Sequence, residues 1–177
     1  MVAGMLGGLA RMAASLAAPV VALAGLCASA APAATVTAQV NANIVKPLAF
    51  TATGSLNFGT IVVNNLTASR TITLSPANVL TCGGSAELVC SGPTSVPTFN
   101  VQGTNKSVLN IFKNVSQLTN TSNGSKLALT PIGQNSVTLT NSGAPGSDFA
   151  IGGSITLTPT TTAGTYSGVV DVTVEYQ

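Results

Sequence analysis

From Thr35 to the last residue, apolar and polar side chains alternate in short runs separated by Gly, Pro, Asn and Ser. Arg70-Thr-Ile-Thr-Leu74, Thr98-Phe-Asn-Val101, Val108-Leu-Asn-Ile-Phe112, Lys126-Leu-Ala-Leu-Thr130, Ser136-Val-Thr-Leu-Thr140, Ser154-Ile-Thr-Leu-Thr158 and Val169-Val-Asp-Val-Thr-Val-Glu-Tyr176 all repeat every second residue. That period is the mark of a strand with one buried face. The β-branched content suits a pleated, half-buried surface. Gly83-Gly84, Gly152-Gly153 and Gly143-Ala-Pro-Gly146 read as turns between the strands. No stretch long enough for a substantial helix keeps a helical apolar period. The pattern predicts an all-β chain folded as an antiparallel β-sandwich, and 177 residues suffice for one such domain.

The two ends carry the strongest alternation. In the segment from Ala34 to Ile44, Val36, Ala38, Val40, Ala42 and Ile44 fall on one face, with Thr35, Thr37, Gln39, Asn41 and Asn43 on the other. Lys46-Pro47 stops this strand, because proline cannot donate to a ladder, and Pro47-Leu-Ala-Phe50 begins the body. At the far end Val170, Val172, Val174 and Tyr176 share one face, Val169, Asp171, Thr173 and Glu175 the other, and only Gln177 follows. Soluble proteins blunt an apolar edge strand with proline, lysine or a bulge, and nothing of that kind is present here. The expectation is an incomplete sandwich with an acceptor edge at its last strand. Residues 34–45 would be a detachable donor strand that completes another copy, a form of β-augmentation.

Ahead of the sandwich, Arg11 precedes an apolar run from Met12 to Leu26 and the small residues Cys27-Ala28-Ser29-Ala30. This is the layout of a secretory signal peptide, residues 1–30, cut between Ala30 and Ala34. As a membrane anchor the run is shorter than the roughly 20 residues a spanning helix needs, and Pro19 interrupts it. Leu26 before Cys27 departs from a lipoprotein signal. The exported chain then holds two cysteines, Cys82 and Cys90, in an oxidising compartment, and a disulfide closing a small loop is expected. The mature parts are the 34–45 extension and a 46–177 β-sandwich domain.

These termini resemble those of chaperone-usher pilins. Such pilins end in an alternating strand with a penultimate aromatic, here Tyr176, and a glycine fourteen residues from the end, here Gly164. The resemblance implies an immunoglobulin-like sandwich lacking its last strand. Its acceptor edge would be lined by Gly164, Val170, Val172, Val174 and Tyr176. The implied partners are other copies of the chain or related subunits, a periplasmic chaperone and an outer-membrane usher. The mature chain also resembles a secreted bacterial family known only as a domain of unknown function. The matching motifs are Leu56-Asn-Phe-Gly59, Phe99-Asn-Val-Gln-Gly103, Ile151-Gly-Gly153, Ala163-Gly-Thr-Tyr-Ser-Gly168 and Val172-Thr-Val-Glu-Tyr176. The short cysteine loop departs from the longer disulfide of many pilins.

Charge narrows the function classes further. Six Lys or Arg, four Asp or Glu and no His give a net +2, and Lys46, Arg70, Lys106, Lys113 and Lys126 are scattered, which speaks against nucleic acid. Acid–base catalysis lacks parts, and no cofactor or metal is expected: the mature carboxylates are Glu87, Asp148, Asp171 and Glu175. On an extended strand Asp171 and Glu175 lie about 13 Å apart, beyond the roughly 5 to 10 Å of a glycosidase pair. Asn114, Asn120 and Asn123 open formal glycosylation sequons that read as turn chemistry. The expected function is a non-enzymatic, adhesive or structural subunit of a surface fimbria, exported through the periplasm and joined by donor-strand exchange. The alternative is a monomeric secreted binding module that folds its own N-terminal strand into its sheet.

Overall fold

A strand persists only where a neighbour takes up its backbone groups, so the ladders decide which alternating runs become strands. The structure, a computed structural model, describes residues 35–84 and 86–177. The segment read as a signal peptide, with Cys27, lies outside the described residues. In chain order the strands are β1 Ala49–Thr53, β2 Thr60–Val63, β3 Arg70–Leu74, β4 Leu80–Cys82, β5 Leu88–Ser91, β6 Thr98–Gln102 and β7 Val108–Lys113. They continue with β8 Ser116–Asn120, β9 Lys126–Ile132, β10 Ser136–Thr138, β11 Ser147–Ala150, β12 Gly152–Leu157, β13 Tyr166–Ser167 and β14 Val172–Tyr176. No helix occurs among the described residues.

All pairings are antiparallel. A six-stranded sheet runs β13-β8-β9-β12-β3-β4, two three-stranded sheets run β1-β6-β11 and β10-β7-β14, and β2 pairs with β5. Two apolar clusters fill the interior, as in a β-sandwich. Ile72, Leu74, Leu129 and Ile155 of the six-stranded sheet centre the first, with Leu88 from β5. Phe99, Val101, Leu109, Ile111 and Phe149 of the three-stranded sheets centre the second, with Leu139 and Ile151. Phe50, Phe99 and Phe149 stack there at 5.5 to 6.1 Å between ring centroids.

Two expectations change. Gly152 and Gly153 are not a turn but the first residues of β12. They are glycine because the sheet leaves no room: a Cβ on Gly152 would meet the Leu74 carbonyl and the Pro76 nitrogen, and one on Gly153 would meet Leu129 and Leu56. The run read as one strand from Val169 is also shorter. After β13 pairs with β8 the chain crosses to the other sheet, and β14 begins only at Val172. Val170 lies in that crossing and packs on both clusters.

Cys82 and Cys90 form a disulfide with 5.9 Å between Cα atoms. It does more than close a loop. Cys82 is in β4 of the six-stranded sheet, while Cys90 in β5 pairs with Ile61 of β2, so the bond staples the two-stranded ribbon to the larger sheet. Arg70 reinforces the same corner, donating from Nε and Nη2 to Glu87, whose other oxygen accepts from Thr67.

By its contacts the chain divides into Met1–Asn41 and Ala42–Gln177. All the strands among the described residues belong to the second unit. Residues 35–48 form no strand, and Val36, Val40 and Ile44 are 93%, 91% and 89% exposed. Their alternation has no ladder to join within the described residues.

Candidate functional site

The last strand is built differently on its two edges. β14 pairs with β7 in the register Val172↔Lys113, Thr173↔Phe112, Val174↔Ile111, Glu175↔Asn110 and Tyr176↔Leu109. In that register Asn114 N donates to Asp171 O at 3.4 Å, and Gln177 N donates to Val108 O at 3.0 Å. The odd-numbered residues therefore exchange hydrogen bonds with β7. Those of Val172, Val174 and Tyr176 point to the opposite edge, where β14 is the last strand of its sheet.

The same three residues turn their side chains toward the second cluster, yet they are only half-buried. Two of their direct partners are buried: Leu109, opposite Tyr176, is 0% exposed, and Ile111, opposite Val174, is 4% exposed, while Lys113, opposite Val172, is half-buried. One strand further out, the core thins. At another sheet edge, β1 also lays half-buried Phe50 on this cluster, with Leu48 just ahead of it. The second cluster is thus under-covered at two strand edges. Outward-facing Thr173 and Glu175 are exposed, giving β14 one polar and one apolar face.

Tyr176 closes one end of this strand through its hydroxyl. It donates to Lys46 O at 2.7 Å and accepts from Thr104 N at 2.9 Å, while Lys46 N donates to Thr104 Oγ1 at 2.7 Å. Both backbone groups of Lys46 are occupied. The hydroxyl fits because residue 103 is glycine: a Cβ there would strike it, and would also meet Leu48 and Leu139. The motif Phe99-Asn-Val-Gln-Gly103 thereby acquires a reason for its last residue. A shallow cleft of about 340 Å³ lies beside the clamp, lined among others by Asn43, Val45, Tyr176 and Gln177.

The residues singled out from sequence are distributed as follows. Val172, Val174 and Tyr176 share the inner face of β14, and Val170 sits just ahead of it. Gly164 does not lie along that edge. It precedes β13 in the six-stranded sheet at φ 145°, where a Cβ would run into the side chain of Asn120. Val36, Ala38, Val40, Ala42 and Ile44 are exposed and outside any ladder.

Asn120 went unremarked except as a glycosylation sequon. It is 1% exposed, donates to Ala163 O at 3.0 Å and accepts from Ser122 N at 2.9 Å. A buried carboxamide tying two loops is invisible in sequence. The carboxylates are dispersed: Glu87 pairs with Arg70, and Asp148 accepts from Asn100.

Neither the comparison with curated proteins nor that with solved structures gives a match. The family model described as "Domain of unknown function (DUF4402)" matches residues 48–176, nearly the whole strand-bearing body from just before β1 to the end of β14, and the chain belongs to that family.

Proposed function

We propose that the chain is a structural subunit of a surface fibre, in which the open edge of β14 receives the alternating segment 34–45 of another copy or a related subunit. One observation carries the reading. The inner face of β14 is apolar but half-buried while Leu109 and Ile111, opposite Tyr176 and Val174 in β7, are buried, and the backbone groups of Val172, Val174 and Tyr176 face outward beside it. An added strand would satisfy both at once, joining the ladder and capping the core. The exposed segment with Val36, Ala38, Val40, Ala42 and Ile44 has the period such a strand needs.

On this reading the chain is exported through the periplasm, where a chaperone covers the edge until an usher exchanges it for the next subunit. The mechanism is binding and assembly, without catalysis. Each inserted Val or Ile contributes about 1.5 to 3 kcal/mol. Size-exclusion chromatography of the refolded chain lacking its signal segment tests this. Ladders of multimers are expected, and Val40→Asp, which places a charge against the cluster, should abolish them. A clean monomer at high concentration for the wild-type chain would instead favour a self-contained binding module.

A further inference from the structure

We infer that the Tyr176 hydroxyl is a latch that prevents the chain's own extension from completing its own fold, reserving β14 for a second copy. The inference rests on the fibre reading and adds how self-capping is avoided.

The argument is directional. β1 is antiparallel to β6, β6 leads through the 103–107 loop into β7, and β14 is antiparallel to β7. β14 therefore runs toward that loop and β1 runs away from it. Lys46 stands between the extension and β1, and it is held at the loop by Thr104 Oγ1 on its N–H and by Tyr176 on its carbonyl. The extension thus arrives at the C-terminal end of β14. To cover its own β14 it would have to fold back at Lys46 and lie parallel to that strand, and a parallel ladder is the less stable per residue. A fold-back that turns at Lys46 works against both of its backbone hydrogen bonds, and Pro47 limits the conformations open to Lys46. A segment from another copy has no such tether and can enter antiparallel. Gly103 belongs to the device, since any side chain there would evict the hydroxyl.

Two measurements on the chain without its signal segment, at dilute monomer concentration, test the latch. Amide exchange should show the Lys46 N–H protected in the wild type, exposed in Thr104→Val, which removes its acceptor, and faster than wild type in Tyr176→Phe, where the chain's own strand competes. A labelled peptide of residues 34–45 should bind the wild type. It should bind Tyr176→Phe about fivefold to tenfold more weakly, the effect of freeing one net hydrogen bond so that the chain's own strand competes. Adding Val40→Asp to Tyr176→Phe disables that competitor and should restore binding, which simple damage to the groove would not allow. An unprotected Lys46 amide, or equal peptide affinity in wild type and Tyr176→Phe, overturns the latch. If the peptide fails to bind the wild type while Lys46 is protected, the fibre reading itself falls and the latch loses its role.

Discussion

Gly164 and Asn120 show how much of the molecule is decided by single close approaches. At φ 145° residue 164 is in a region that favours glycine, and a Cβ there would strike a carboxamide that is buried and bonded on both sides. Gly164→Ala should strain the backbone and displace Asn120, lowering stability by about 2 to 4 kcal/mol, read as a reduced urea midpoint. Asn120→Ala should lower it by about 1 to 3 kcal/mol in the same assay, by stranding the Ala163 carbonyl and the Ser122 amide. Tyr176 belongs to the other cluster. Tyr176→Ser removes its ring from the half-covered core and its hydroxyl from Lys46 and Thr104, so the folded yield and any multimers should fall together. Alternation placed Tyr176 on the inner face of its strand correctly. It had no means of placing Gly164, because a glycine's partner across the fold leaves no periodic signal.

At the scale of elements, the longer alternating runs became strands much as the pattern requires: β3, β6, β7, β9, β12 and β14. The short strands β2, β4, β5, β8, β11 and β13 were not legible. Runs this short and without clear alternation owe their conformation to the ladder beside them more than to their own composition. The glycine pair at the head of β12 misled for a related reason, since glycine serves both turns and tight sheet contacts. The cysteine pair was legible as a bond, though not as a staple between β4 and β5. Cys82→Ser with Cys90→Ser should cost about 2 to 3 kcal/mol on the chain-entropy estimate. The loss should centre on the β2–β5 ribbon, so amide exchange of Val62 and Val89 should accelerate well before that of Ile72 or Ile155. Uniform acceleration across both clusters would show that the bond supports the whole fold.

For the whole molecule, the proposed strand addition at the under-covered edge of β14 makes stability depend on whether a strand is bound there. A peptide of residues 34–45 added at about a hundred times its dissociation constant should stabilise the monomer by about 2.7 kcal/mol, seen as a rise in melting temperature, because it binds the folded state alone. A peptide carrying Asp in place of Val40 should leave the melting temperature unchanged. The sequence by itself determined the class of the fold and the inward and outward faces of its principal strands, because side-chain alternation is a local property that a strand enforces residue by residue. It also determined that a disulfide was available and that charge is too sparse for a clustered basic face. The tertiary structure alone decided which strands pair, where the chain crosses from one sheet to the other between β13 and β14, and that Lys46 is clamped beside the end of the last strand. Those are contacts between residues far apart in the chain, as Lys46 and Tyr176 are, and they are set by the packing of whole sheets, which no local pattern encodes.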